Sequence, residues 1–215
     1  MRIVIAGGHG KIALRLLRQL TESGHTGVGL VRNPEQLPDL AATGQSGVVC
    51  DLESASVAQV ADLLKGADVA VFAAGAGPGS GADRKDGVDR GASVLFADAA
   101  QQAGVGRFIQ ISAAGAGAPP QEGTDEVWAA YLQAKTAAED DLRTRDLDWT
   151  ILRPGALTDD PGTGLVALHD PPAGQGEITR DDVASVIIAL FEAGLRRTLE
   201  LRQGSVPIAQ AVADL

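Results

Sequence analysis

An α/β fold, a single domain built on a doubly wound parallel β-sheet flanked by helices, is what this sequence predicts, on three observations. Short apolar runs alternate with longer amphipathic segments along the chain, the pattern of parallel strands joined by crossover helices. The first run passes directly into a glycine-rich turn that opens a helix. The 215 residues suffice for one substantial core and leave little room for a second domain.

Taken in order, strands are expected at residues 2–6, 26–31, 47–50, 69–74, 107–111, 150–152 and 198–202. Helices are expected at 11–22, 54–64, 88–103 and 127–145, each with an apolar face and several stopped by a following glycine. Between Val31 and Gly47 the prolines at 34 and 38 predict a loop or a short helix. Two segments rich in Gly, Pro and Asp, 75–82 and 159–176, read as loops at the ligand edge, either pocket walls or plain surface. Right-handed crossovers then put the ligand at the carboxyl ends of the strands.

Composition narrows the function. Aromatic residues make up only 3%, so Ala, Val, Leu and Ile must build the core. A net charge of -10 repels nucleic acid and anionic lipid, so an anionic ligand must be held by local donors. The expected partner is a small-molecule substrate, with no nucleic acid or membrane, and the chain is expected to be a monomer or homodimer. The lone Cys50 cannot form an internal disulfide and fits a reducing cytoplasm. No signal segment and no long apolar stretch is evident. His9, His25 and His169 lack ligand spacing, so no metal site is expected.

The turn after the first strand reads Gly7-Gly8-His9-Gly10-Lys11-Ile12-Ala13. Gly7 permits the tight turn, Gly10 lets backbone N–H groups approach a pyrophosphate at a helix N-terminus, and Ala13 lets helix and sheet pack closely. His9 borders the phosphates as a candidate donor. This is the arrangement of a Rossmann dinucleotide site. The second strand ends in Arg32, where an NAD-selective protein usually carries a carboxylate. A guanidinium pairs with a 2′-phosphate, which favours NADP(H) over NAD(H); the other readings are a solvated arginine and a role for nearby Glu35. Asp51, just past the third strand, is a candidate acceptor for the adenine amino group or a loop cap.

With these pieces in hand, the chain resembles the short-chain dehydrogenase/reductase superfamily. It is most similar to its small atypical members, the NmrA-like and NAD-dependent epimerase/dehydratase groups. The resemblance covers nearly the whole chain: Ala73-Ala74-Gly75-Ala76-Gly77, Val88-Asp89-Arg90-Gly91-Ala92, Ser112, Tyr131-Leu132-Gln133-Ala134-Lys135, Leu152-Arg153-Pro154-Gly155, residues 178–184 and 205–208. It implies that Leu52, Ala73, Ala74, Gly75, Lys135 and Pro154 join the glycine turn in binding the cofactor, with 155–215 contributing a small substrate-pocket region. It also implies a proton-exchanging Tyr131, a Ser112 that holds the substrate oxygen, and a Lys135 that binds the nicotinamide ribose and lowers the phenol's pKa from ~10 toward neutrality. Asp89 stands where many members of the superfamily have a relay asparagine; it is expected either to accept relay bonds or to cap its helix.

Two readings compete. The first is an NADP(H)-dependent oxidoreductase that reduces a small carbonyl, quinone or flavin-like compound by hydride transfer. About sixty residues follow Pro154, which by the resemblance disfavours a nucleotide-sugar substrate. The second is a non-catalytic NADP(H) sensor of NmrA-like type, which needs none of the Ser112, Tyr131 and Lys135 set. For Lys135 the plain alternative is a surface pair with Glu139 one helical turn on.

Overall fold

Period-two alternation in the strands divides the side chains between two apolar layers. In β1 (Arg2–Ala6), Ile3 and Ile5 enter one cluster while Val4 and Ala6 enter the other. The computed structural model describes every residue except Pro78, residues 120–122, Ala173 and residues 194–195, and only the backbone of Ala82 and Asp83. Pro78 and Ala173 fall within the two expected loops, so those parts of 75–82 and 159–176 lie outside the described residues.

After β1 the chain runs through α1 (Lys11–Glu22), β2 (Thr26–Val31), α2 (Leu37–Ala41), β3 (Ser46–Val49), α3 (Val57–Leu64) and β4 (Val69–Phe72). It continues with α4 (Ala82–Lys85), α5 (Ala92–Ala103), β5 (Arg107–Ile111), α6 (Glu126–Arg143) and β6 (Asp148–Pro154). Then follow β7 (Ala156–Thr158), β8 (Leu165–His169), β9 (Glu177–Thr179), α7 (Arg180–Ala189), β10 (Arg197–Gln203), β11 (Val206–Pro207) and α8 (Ile208–Ala213). The main sheet has the order β11-β8-β10-β6-β5-β4-β1-β2-β3 and is parallel from β10 to β3. Helices α1 and α7 pack together on one face, α3 and α5 on the other. The chain reverses winding between β1 and β4, which opens a crevice at their carboxyl ends.

Two departures from the expected elements have physical causes. Leu165–His169, read as loop, is β8, antiparallel to β10. Only Val166 and Leu168 of that strand are buried, too short an alternation to stand out between Gly164 and Asp170-Pro171-Pro172. The helix expected at 88–103 begins earlier: α4 runs through a π-helical turn, Asp86–Gly91, into α5. Asp89 therefore sits inside a helical run and does not cap one.

The glycine turn is held to the sheet by a close backbone approach. A Cβ on Gly8 would stand 2.6 Å from the Gly29 Cα in β2, so two glycines let the turn lie against the strand, where Gly8 N–H donates to Leu30 O at 2.9 Å. Gly8→Ala must push these backbones apart, and we expect a loss of about 1–3 kcal/mol in urea unfolding. An unchanged midpoint would show that the contact yields freely.

Candidate functional site

The crevice is a cleft of about 630 Å³. Gly7 starts it with φ +76°, and a Cβ there would stand 2.6 Å from the Ala74 Cα across the switch point, so only glycine fits. Gly10 N–H donates to Gly7 O at 2.9 Å and forms the N-cap of α1. No side chain caps that end and its first turn carries no acid, so the first-turn N–H groups and the helix dipole keep their affinity for an anion.

Of the predicted cofactor residues, Gly7, His9, Gly10, Ile12, Arg32, Asp51, Leu52, Ala73, Ala74, Gly75 and Lys135 line this cleft. Gly8, Lys11 and Pro154 are not among its lining residues. Gly8 faces β2 as described, Lys11 pairs with Asp159 at 2.6 Å, and Pro154 lies in β6 beside Leu201 of β10. His9 has both ring nitrogens engaged, Nε2 with Asp39 at 2.7 Å and Nδ1 with Gln36 at 3.1 Å; it ties the turn to α2 instead of presenting a free donor. Asp51 accepts from Glu53 N–H and the Ser54 hydroxyl, a loop cap that also borders the cleft. From 155–215 the lining includes only Leu157 among the described residues.

At the other end of the cleft, Ser112, Tyr131, Lys135 and Asp89 come together. Tyr131, Lys135 and Glu139 follow one another at four-residue intervals and share a stripe of α6. Lys135 is 4% exposed. It donates to Ile111 O at 3.1 Å and pairs with the Asp89 carboxylate at 3.1 Å, so the surface pairing with Glu139 does not occur. Asp89, fully buried, accepts Ala76 N–H at 3.2 Å through its second oxygen.

Glu139 belongs to a different network. It is 0% exposed, accepts the Ser112 hydroxyl at 2.6 Å, and binds Arg153 through both carboxylate oxygens at 2.9 and 2.5 Å. Arg143 adds a further bond at 2.7 Å. Burial alone would raise the Glu139 carboxyl, but Arg153, the Ser112 hydroxyl and Arg143 together hold it below the usual carboxylate range. An ionised carboxylate accepts and does not donate, so the one hydroxyl proton of Ser112 is committed to it and Ser112 offers lone pairs to the cleft.

Burial pushes the Tyr131 phenol above its ordinary value; Lys135 pulls it down and Asp89 pushes it up again. The expected pKa near neutrality is thus corrected: the lysine charge is shared with Asp89 and cannot offset desolvation. The sequence reading missed two neighbours of the site, Lys85 and Arg84. Lys85 donates to Gly77 O at 2.9 Å with its ammonium 5.1 Å from the Tyr131 ring centroid, and Trp128, half-exposed, packs on Tyr131 with ring centroids 5.0 Å apart. Arg84 of α4 reaches Glu53 in the turn after β3. Lys85 and Arg84 follow a loop whose path no local pattern specifies, whereas Trp128, one turn before Tyr131, was visible as an i, i+3 neighbour.

A protein-family profile described as NAD(P)H-binding matches residues 7–193. The chain belongs to this NAD(P)H-binding family. Over its full length it is 35% identical to the uncharacterized sugar epimerase YhfK of Bacillus subtilis, covering all of that protein. A structure from Bacillus halodurans described as an NAD-dependent epimerase/dehydratase is 36% identical, covers 100% of both chains and superposes with a TM-score of 0.90. The oxidoreductase ylbE of Lactococcus lactis is 28% identical, covers 100% of this chain and 96% of its own, and gives a TM-score of 0.86. The cleft fits the family's cofactor: the glycine cradle at Gly7 and the uncapped start of α1 would be filled by side chains in a purely structural turn. Among the described residues no helix is long and apolar enough to cross a membrane.

Tyr131 is the single tyrosine, so ultraviolet titration of its phenolate reports on this site alone. Its midpoint should lie above ~10 in the parent and fall in Asp89→Asn, where Lys135 acts unopposed. A parent midpoint below the ordinary value would overturn the desolvation account.

Removing Glu139 strands a buried Arg153, so Glu139→Ala should cost about 3–5 kcal/mol in urea unfolding at neutral pH. Because the folded Glu139 pKa is depressed, its stabilisation is fully present above the unfolded value of ~4.3 and is lost as pH falls through the lower folded value. The gap between parent and variant should therefore shrink on acidification through that window, and a gap that stays constant contradicts the assignment.

Proposed function

We propose that the protein is an NADP(H)-dependent reductase of a small, flat, conjugated acceptor, a carbonyl, quinone or flavin-like compound. The observation that carries this reading is the convergence of Tyr131, Lys135, Ser112 and Asp89 in the same cleft that begins at the glycine turn. In such a site Gly7, Gly10 and the start of α1 hold the pyrophosphate, Arg32 the 2′-phosphate and Lys135 the nicotinamide ribose. A bound NADPH supplies the hydride.

The residues of this chain then account for the proton. A phenol kept above its ordinary pKa is protonated at neutral pH, so Tyr131 serves as a general acid, the role a reduction requires. One of the three Lys135 N–H groups is donated to the Ile111 carbonyl, and this bond together with the adjacent Asp89 charge fixes the direction of the ammonium. Ser112, its proton on Glu139, orients the acceptor by accepting from an N–H or O–H group. Trp128, Tyr131 and Leu157 offer an aromatic and apolar wall to a flat ring system. That wall supports a conjugated acceptor over a hydroxyl-rich sugar, the substrate class in the name of the Bacillus subtilis relative.

The competing reading, a nucleotide-sensing regulator, draws on the serine whose proton is already spent. Turnover separates the two. With a panel of quinones, flavins, aldehydes and ketones, followed by loss of NADPH absorbance, at least one acceptor should be reduced. Tyr131→Phe should bind NADPH normally and lose about 10²-fold or more in turnover. If no acceptor is reduced, or Tyr131→Phe matches the parent, the sensor is the better account.

A further inference from the structure

At the adenosine end of the cleft, one carboxylate oxygen is shared by two arginines from opposite walls. Glu53 Oε2, in the turn after β3, lies 3.5 Å from Arg32 Nη1 at the end of β2 and 3.3 Å from Arg84 Nη2 on α4. All three residues line the cleft. Their side chains are 37–56% exposed, so water is available to each and none is fixed by packing.

The charges do not balance. Two guanidiniums face a single carboxylate, both bonds lie at the long end of hydrogen-bonding range, and each guanidinium has five N–H donors of which one reaches Glu53. A phosphate monoester, with nearly two negative charges and three acceptor oxygens, matches such a pair better than a carboxylate does. Because Arg32 belongs to the sheet and Arg84 to the segment beyond β4, a group between them is gripped from both sides.

We propose that Arg84 is the second half of a 2′-phosphate clamp whose first half is Arg32, and that Glu53 bridges the two arginines until the phosphate competes it away. The proposal rests on the NADP(H) reading above and adds to it a specificity-determining cation and a built-in competitor. Glu53 has two consequences of opposite sign. It repels a 2′-phosphate, and it accepts from a free 2′-hydroxyl, the part a carboxylate plays in NAD-binding sites. The same residue thus weakens NADPH and supports NADH.

Calorimetric titration of NADPH and NADH into the full chain and two variants tests this without any substrate. The parent should prefer NADPH. Arg84→Ala should weaken NADPH about tenfold and leave NADH within about twofold, with a shallower dependence of NADPH affinity on salt. Glu53→Gln should tighten NADPH and weaken NADH, an opposite movement that general damage to the fold cannot produce. A parent preference for NADPH that Arg84→Ala leaves intact overturns the clamp while the proposed function stands on Arg32. Weaker NADPH binding in Glu53→Gln overturns the competitor role. A parent without preference, or one that prefers NADH, overturns the clamp and the NADP(H) reading together.

Discussion

A carboxylate sealed from water organises the reactive end of this protein. Glu139 has no exposed surface, and an isolated buried ion would cost far more than the domain could spare. Its partners therefore have to be where they are: Ser112 at the end of β5, Arg153 in β6 and Arg143 one turn along α6. Meeting those bonds fixes both the rotation and the height of α6 against the sheet. The stripe that bears Glu139 also bears Lys135 and Tyr131, so the network that satisfies one acid aims the other two side chains into the cleft.

Lys135 and Asp89 form a second buried pair next to the first. Ser112 takes part in the Glu139 network and Lys135 in the Asp89 network, and the two side chains line the same cleft. One network removes the serine's proton from play; the other divides the lysine's charge. Both follow from supplying each buried charge with an opposite charge, and both turn the site toward a tyrosine that holds its proton. The glycine turn obeys a different constraint, the close approach of its backbone to β2 and to the residues after β4.

The sheet and its helices were legible because parallel strands buried on both faces leave continuous apolar runs, as at Ile3-Val4-Ile5-Ala6 and Val69-Ala70-Val71-Phe72. The glycine turn was legible because its spacing is itself the mechanism. The strand at Leu165–His169 was not, since a short strand with only two buried residues carries little signal. Within the site, residues on one helix were readable by their four-residue spacing, but the identity of each partner was not. Sequence spacing alone pairs Lys135 with Glu139, whereas each finds a stronger partner on another element, Asp89 and Arg153. Non-local ion pairs of this kind are decided by burial, which no local pattern encodes.

The π-helical turn at Asp86–Gly91 joins α4 to α5 without a break. Such a turn holds one residue more than an α-helical turn of the same height, so it acts as a phase shifter. Everything beyond it is rotated by about a hundred degrees relative to an uninterrupted α-helix. That offset lets one continuous rod present Arg84 and Lys85 to the cleft on one side of the turn while Phe96 and Ala100 pack into the core on the other. Loss of a single residue here would leave the rod helical and the core intact in composition, yet would bring the two faces out of register with one another.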